Sequence, residues 1–171
     1  LATKAMNKSR LKFFFLNFII LITIFLIDRI SKFYILKLAE VEGSLDIYVT
    51  SYLNLFLIWN KGIAFGLLSV NESVIYNIIT LMIGFIIIVI LFMMWKNDNI
   101  QGYFLALVAG GASGNIYDRI VYTAVPDFID LHFYEFHWFV FNVADTFITI
   151  GIFCLILVEF FYNNKITNEK N

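Results

Sequence analysis

Four aspartates set in a very apolar chain are the residues whose types and spacing could do chemistry. They are Asp28, Asp118, Asp127 and Asp145, in a chain that is 61% hydrophobic. An ionisable side chain inside a bilayer costs about 2.5–3.5 kcal/mol on insertion scales, so such a residue is a candidate for function. If the apolar stretches around them are membrane helices, Asp28, Asp118 and Asp145 all fall in the outer leaflet.

Asp127 and Asp145 are the acids best placed to meet. Asp127 follows Pro126 in a connection, and Asp145 lies about seven residues into the next apolar stretch, which we place from Trp138, or about 10 Å below the outer surface. Two carboxylates a few ångströms apart do not both ionise easily, so one keeps a proton while the other is charged. The pair therefore predicts peptide hydrolysis of the aspartic-peptidase type, with one general base and one general acid.

Other reactive groups offer weaker alternatives. Serine catalysis needs a base beside the hydroxyl, and we expect His132 and His137 to be solvated loop or interface residues. Cys154 lies deep in an apolar stretch, where a thiolate is penalised, and as the single cysteine it cannot form a disulfide or a zinc cluster. We expect no metal and no cofactor. The small residues at 110–114 predict close helix packing rather than a phosphate loop, because no Gly-Lys-Ser/Thr follows them.

The elements that must position these acids are membrane helices. The chain has 171 residues, only 15% of them charged, and a mean hydropathy of +0.83. Apolar stretches bounded by charges predict a single membrane domain, residues 1–171, with four spans at about 13–36, 74–95, 103–120 and 138–162. The net charge of −1 leaves no basic surface for nucleic acid.

Lysine and arginine distribution predicts the orientation of these spans. Basic residues precede the first span, Lys96 lies between the second and third, and Lys165 and Lys170 follow the fourth. By the positive-inside rule both termini are cytoplasmic and the two longer connections face outward. The first of these, with the outer β-region at about 40–66, is rich in β-formers and predicts a small sheet. The connection between the third and fourth spans is predicted to be an outer loop.

Five short motifs, in order along the chain, resemble those of the bacterial lipoprotein signal peptidases, or signal peptidase II, the A8 family of aspartic peptidases. They are Asp-Arg-Ile-Ser-Lys at 28–32, Asn-Lys-Gly-Ile-Ala-Phe at 60–65, Gly-Gly-Ala-Ser-Gly-Asn-Ile-Tyr-Asp-Arg at 110–119, Val-Pro-Asp-Phe-Ile-Asp at 125–130 and Phe-Asn-Val-Ala-Asp at 141–145. Carried over by position, the resemblance implies that Asp127 and Asp145 are the catalytic pair. It also implies substrate-binding or supporting roles for Asp28, Lys32, Asn60, Gly62, Ala64, Phe65, Gly111, Gly114, Asn115, Asp118, Arg119, Asn142 and Ala144.

The resemblance further implies the substrate and the location. The substrate would be a prolipoprotein whose cysteine already carries diacylglycerol, cleaved on the amino side of that cysteine to release the signal peptide. The enzyme would be a multi-pass protein of the bacterial inner membrane, in contact with lipid, acting as a monomer with its active site near the outer face.

Three interpretations compete with parts of this account. Asp118 and Arg119 are adjacent, which favours a permanently charged structural pair, and Asp28 and Lys32, four apart, favour a buried ion pair that supports the site. For the whole protein, the rival function is a small proton-coupled carrier that uses the intramembrane acids as a relay. Such carriers commonly show repeated halves, and the four predicted spans show no such symmetry.

Overall fold

The structure, a computed structural model, describes residues 8–62, 72–134 and 136–168. Within these residues one pair of strands lies between the first and second helices and another between the third and fourth. The helices are α1 (Lys8–Glu42), α2 (Glu72–Lys96), α3 (Gln101–Tyr122) and α4 (Val143–Asn168). The strands are β1 (Asp46–Thr50), β2 (Leu53–Asn60), β3 (Val125–Phe133) and β4 (Phe136–Phe141).

One face of α1 is buried against the other helices. Buried side chains recur along it at every third or fourth position, the spacing that places residues on one face of a helix: Asn17, Leu21, Ile24, Asp28, Lys32 and Ile35. The remaining positions expose large apolar side chains such as Ile30 and Phe33, which suits a lipid environment.

The small-residue helix α3 is the centre of the helical packing, in contact with α1, α2 and α4. Its glycines let the other backbones approach. A Cβ added at Gly110 would lie 2.7 Å from the Leu21 carbonyl oxygen of α1, and one at Gly111 would lie 2.5 Å from the Ala144 carbonyl oxygen of α4. The prediction that residues 110–114 serve packing is confirmed.

Three of the helices are long and apolar enough to cross a membrane: 10–42 in α1, 74–96 in α2 and 143–161 in α4. Helix α3 is not in this set, because its glycines, Asn115, Asp118 and Arg119 lower its hydropathy. The molecule is thus a membrane-type helical protein with several apolar helices and a small antiparallel sheet. The prediction of four helices is confirmed as secondary structure, and the crossing of the membrane by α3 stays a prediction.

The sheet takes two strands from the connection between α1 and α2 and two from the connection between α3 and α4. Its order is β1-β2-β3-β4, with every neighbouring pair antiparallel, and Ile58 of β2 lies opposite Asp127 of β3. The predicted outer loop between the third and fourth helices is therefore wrong, since this connection forms the β3–β4 hairpin. Apolar side chains of α1 and the sheet, Ile35, Leu45 and Phe128, pack together and fix the sheet on the end of α1.

Three predicted boundaries are also wrong. The fourth helix begins at Val143 rather than about Trp138, because residues 136–141 pair with β3 as a strand. The first helix continues past residue 36 to Glu42, since Leu38, Ala39 and Glu40 favour helix as much as the apolar span does. It stops at Gly43, whose φ of 75° is a left-handed conformation that favours glycine. The β-region accordingly starts at Asp46 rather than at about residue 40. The helices predicted at 74–95 and 103–120 match α2 and α3 to within two residues.

Candidate active site

Asp127 and Asp145 come from adjoining elements, and a single asparagine joins them. Asp127 lies near the start of β3, and Asp145 is the third residue of α4. Asn142, the residue between β4 and α4, is fully buried and contacts both acids. The prediction that placed Asp145 about seven residues into its helix is corrected, because the helix starts later. Asp145 lies in the first turn, at the sheet end of the bundle.

Asp127 is almost completely buried, with 3% of its surface exposed, and an amide is bound to each of its oxygens. Asn142 Nδ2 donates to Oδ1 at 2.6 Å, and Asn60 Nδ2 donates to Oδ2 at 2.9 Å. Burial raises the pKa of Asp127 from the usual 3.8 to about 6. The two amides oppose this rise because they stabilise the ionised form, and the charge of Asp145 adds to it.

Asp145 is held in a reciprocal cap at the start of α4. Its backbone N–H donates to Asn142 Oδ1 at 3.1 Å, and its Oδ2 accepts from the Asn142 backbone N–H at 3.2 Å. This is a capping box, which satisfies donors that the first helical turn leaves unpaired. Asn115 Nδ2 of α3 donates to the other carboxylate oxygen at 2.7 Å. The same side chains that start the helix therefore orient the acid.

Two acids and two bases form a buried charged cluster behind this pair. Lys32 Nζ lies 3.0 Å from Asp28 Oδ1 and 2.7 Å from Asp118 Oδ2, and Arg29 pairs with the same two carboxylates at 2.7 Å and 2.6 Å. Asp28, Lys32 and Asp118 are each at most 1% exposed. The charges balance, as burial requires. The predicted Asp28–Lys32 ion pair is confirmed.

The cluster is connected to the candidate catalytic pair by hydrogen bonds. Lys32 Nζ also donates to Asn115 Oδ1 at 2.9 Å, which turns the amide nitrogen of Asn115 toward Asp145. Asp28 Oδ1 accepts from the Ala144 backbone N–H at 3.0 Å, which ties α1 to the first turn of α4. Lys32 thus orients, through Asn115, the carboxylate of Asp145.

The predicted pairing of Asp118 with Arg119 is wrong. Asp118 binds Arg29 and Lys32 of α1 instead, because it lies on the face of α3 that packs against α1. Arg29 is a supporting residue that the sequence reasoning missed. Its position beside Asp28, three residues before Lys32, was the available signal.

Arg119 lies on another side of α3, close to the end of β2. Its guanidinium carbon is 5.2 Å from the centre of the Tyr76 ring, and among the described residues its Nε and Nη1 have no hydrogen-bond partner although both are buried. A Cβ added at Gly62 would lie 2.8 Å from Arg119 Nη2, and Gly62 has a φ of 73°. Gly62 N–H also donates to Asn60 Oδ1 at 2.7 Å, which directs the other end of that amide to Asp127.

The other predicted site residues act in packing or lie elsewhere. Gly111 and Gly114 face Ala144 and Asp28 respectively, where a Cβ would collide. Ala64 and Phe65 lie outside the described residues. Beside Asp145 a cavity of about 220 Å³ opens, lined also by Phe139, Phe141, Thr146, Thr149 and Ile150. Its lining is almost wholly apolar, so it suits an acyl chain or an apolar side chain.

The two histidines, expected to be solvated loop or interface residues, lie on strands rather than in a loop, and only His137 is well exposed. They lie in β3 and β4, and only 10% of the His132 side chain is exposed, whereas 57% of His137 is. Both are beside Asp130, three residues after Asp127.

Comparison with known proteins identifies the family of this chain. A model of the family described as signal peptidase (SPase) II matches residues 20–161, which is most of the chain. The chain belongs to this family. It is therefore an aspartic peptidase, and the carrier interpretation has no support. The resemblance inferred from the five motifs is confirmed.

Relatives and solved structures agree with this assignment. The lipoprotein signal peptidase of Pelagibacter ubique (strain HTCC1062) is 75% identical over 166 residues, which cover 97% of this chain and 100% of that protein. The lipoprotein signal peptidase of Aquifex aeolicus (strain VF5) is 39% identical, over 89% and 90% of the two chains. A bacterial membrane enzyme solved by the in meso method at 1.9 Å resolution superposes with a TM-score of 0.68 at 27% identity, covering 84% of this chain and 91% of that one.

Proposed function

We propose that this chain removes signal peptides from prolipoproteins by using Asp127 and Asp145 as its catalytic pair. The observation that carries the proposal is the bridge through Asn142, which binds one oxygen of Asp127 and caps the helix turn of Asp145. Two acids held by one side chain can act on one water and one peptide bond. The raised pKa of Asp127 supports a shared proton near neutral pH.

The chemistry follows from one proton held between two carboxyl groups. The ionised carboxylate takes a proton from water as the water oxygen attacks the peptide carbonyl carbon, while the protonated carboxyl group donates a hydrogen bond to the carbonyl oxygen. The tetrahedral species then breaks at the C–N bond, and a proton from the pair goes to the leaving nitrogen. We assign the proton to the pair rather than to one residue, because coupled acids titrate together.

The substrate proposal is a prolipoprotein with a diacylglyceryl-modified cysteine, cleaved on the amino side of that cysteine. Both relatives described above carry the name lipoprotein signal peptidase. The apolar cavity beside Asp145 supports this substrate, because the cavity offers an apolar surface next to the two carboxyl groups. Arg119, with two buried nitrogens that lack a partner among the described residues, is available to bind substrate oxygen atoms together with Asn60 at the end of β2.

The membrane arrangement we propose has four crossings within a single domain, residues 1–171. The more polar α3 would cross the membrane packed against α1, α2 and α4, which would separate its polar residues from lipid. Both termini would be cytoplasmic by the positive-inside rule, so the sheet and the acids would lie near the outer face of a bacterial inner membrane. We expect the enzyme to act as a monomer among membrane lipids, without nucleic acid and without a catalytic cofactor.

The test is to replace Asp127 and Asp145 singly by asparagine and to follow cleavage of a diacylglyceryl-modified precursor peptide by purified protein in detergent. Asparagine keeps the size and the hydrogen bonding but cannot exchange the proton, so we expect turnover to fall by more than about a hundredfold with binding retained. Asp46→Asn, an exposed acid of β1, is the matched control and should cleave normally. Normal turnover by either Asp127→Asn or Asp145→Asn would refute the assignment.

A further inference from the structure

A second cluster of reactive side chains lies on the β3–β4 hairpin, outside the candidate catalytic pair. Asp130 and His132 are two apart on β3, and His137 of β4 is the register partner of His132. Residues two apart on a strand share a face, and directly opposed residues of an antiparallel pair share it too. The hairpin therefore brings one carboxylate and two imidazoles together.

The three groups are close enough to share one metal ion, and the nearest pair, His137 Nδ1 and Asp130, is also within hydrogen-bond distance. One ligand atom from each residue lies within 4.8 Å of the other two. His137 Nδ1 is 2.9 Å from Asp130 Oδ2, and His132 Nδ1 is 3.7 Å from the same oxygen. Ligands of a tetrahedral zinc ion, each about 2.0–2.1 Å from the metal, are roughly 3.3 Å apart. The two measured separations bracket that value.

His132 supplies an independent indication that a ligand belongs here. Its side chain is nine-tenths buried, and its Nδ1 is buried without a hydrogen-bond partner among the described residues. A buried polar atom without a partner is costly in an apolar setting. This setting is apolar, since His132 lines a cavity of about 290 Å³ with Leu131, Phe133, Phe136, Phe139 and Phe141. Coordination of a cation would satisfy the atom.

We propose that Asp130, His132 and His137 form a binding site for a zinc-type divalent cation on the outer hairpin. Two imidazoles and one carboxylate suit zinc and its first-row neighbours rather than Mg²⁺ or Ca²⁺, which prefer oxygen ligands alone. Water would complete the coordination. The expectation of no metal rested on the single cysteine, and a site of two imidazoles and one carboxylate needs no thiolate.

The bound metal would hold the two strands together and would take no part in the hydrolysis. A cation bound to both strands fixes β3 against β4 at the His132–His137 pair. The same two strands lead to the candidate site, since Asp127 lies on β3 and Asn142 follows β4 directly. Metal binding would therefore stabilise the hairpin that presents Asp127. This proposal does not depend on the substrate or on the catalytic assignment.

The experiment is a calorimetric titration of the full chain with ZnCl₂, in detergent after removal of metal by a chelator. A Cys154→Ser background removes the only thiol. We expect one zinc ion per chain and at least a tenfold loss of affinity in His137→Ala. The His137 side chain is 57% exposed, so we expect this variant to fold. Asp46→Asn, an exposed acid on the same sheet, should bind zinc as the parent does.

Thermal unfolding gives a second readout. A ligand that binds only the folded state raises the melting temperature, so zinc should raise it in the parent and not in His137→Ala. X-ray absorption at the zinc edge should show two imidazole ligands. Absence of saturable zinc binding by the parent, or equal affinity in the parent and His137→Ala, would overturn the proposal, whatever the outcome for the catalytic pair.

Discussion

Amide side chains hold both carboxylates of the candidate catalytic pair, and each amide is itself oriented by a second partner. Asn60 binds Asp127 with its nitrogen while its oxygen accepts from Gly62. Asn115 binds Asp145 with its nitrogen while its oxygen accepts from Lys32. An amide fixed at both ends presents a donor and cannot rotate to present an acceptor. The acids therefore always face donors, which favour the ionised form and restrain the geometry.

At the residue scale, the environment of Asp127 predicts how activity changes with pH. The pKa of Asp127 is raised to about 6, so loss of the shared proton should lower kcat/KM as the pH rises through about that value. Asn60 stabilises the ionised form, and its removal should raise the pKa of Asp127 further. We therefore expect the decrease of kcat/KM with rising pH to occur at higher pH in Asn60→Ala than in the parent.

The measurement is a series of kcat/KM values across pH for the parent and for Asn60→Ala, with Asn77→Ala, an exposed residue of α2, as control. The control profile should coincide with that of the parent. If kcat/KM of Asn60→Ala decreases at the same pH as in the parent, or at a lower pH, the role given to this hydrogen bond is contradicted.

At the element scale, close packing of α3 on its neighbours sets the position of Asp145. A Cβ at Gly111 would press on the Ala144 carbonyl, a backbone atom that cannot rotate away, whereas one at Gly84 would meet the flexible end of Ile116 at 3.3 Å. We expect Gly111→Ala to cost about 1–3 kcal/mol of unfolding free energy, as overpacking usually does, and Gly84→Ala to cost little.

Denaturant or thermal unfolding of the two variants in detergent checks this. Activity of Gly111→Ala should fall as well, because Ala144 precedes Asp145 directly. Equal stability of Gly111→Ala and Gly84→Ala would show that α4 moves away from the added methyl group without a loss of unfolding free energy.

The elements also show what the sequence could and could not predict. The helices and the pairing of Asp28 with Lys32 were predictable because apolar runs and contacts four residues apart are local. The strand at 136–141 was not, because Phe-His-Trp-Phe-Val-Phe is as apolar as the start of a span, and its partner β3 was assigned to a loop. The Arg29–Asp118 bond joins residues 89 apart, so it depends on how α1 meets α3.

At the scale of the whole molecule, polar and apolar parts are segregated around the site. The charged cluster is enclosed between α1 and α3, next to the first turn of α4, whereas the apolar cavity opens beside Asp145. The peptide bond would thus be cut where an apolar compartment meets a polar one. This arrangement accommodates a substrate that stays anchored in lipid while its backbone reaches the acids.

Filling the apolar cavity tests this arrangement. Thr149 lines the cavity, and Thr149→Trp should occupy much of its 220 Å³. We expect KM for a diacylglyceryl-modified peptide to rise by roughly tenfold or more with a smaller change in kcat, since the variant obstructs binding and leaves the acids in place. Ile152→Trp, an exposed position outside the cavity lining, is the control. A KM for Thr149→Trp equal to that of the control would show that the cavity does not receive substrate.

A double-mutant cycle on Asp127 and Asp145 shows whether the two acids act as one unit. Single-turnover cleavage rates are compared for the parent, Asp127→Asn, Asp145→Asn and the double variant. Residues that act as one unit are strongly non-additive, so we predict that the double variant is about as slow as either single one. Independent losses that multiply in the double variant, or cleavage that survives either single substitution, would contradict a shared proton and a shared water.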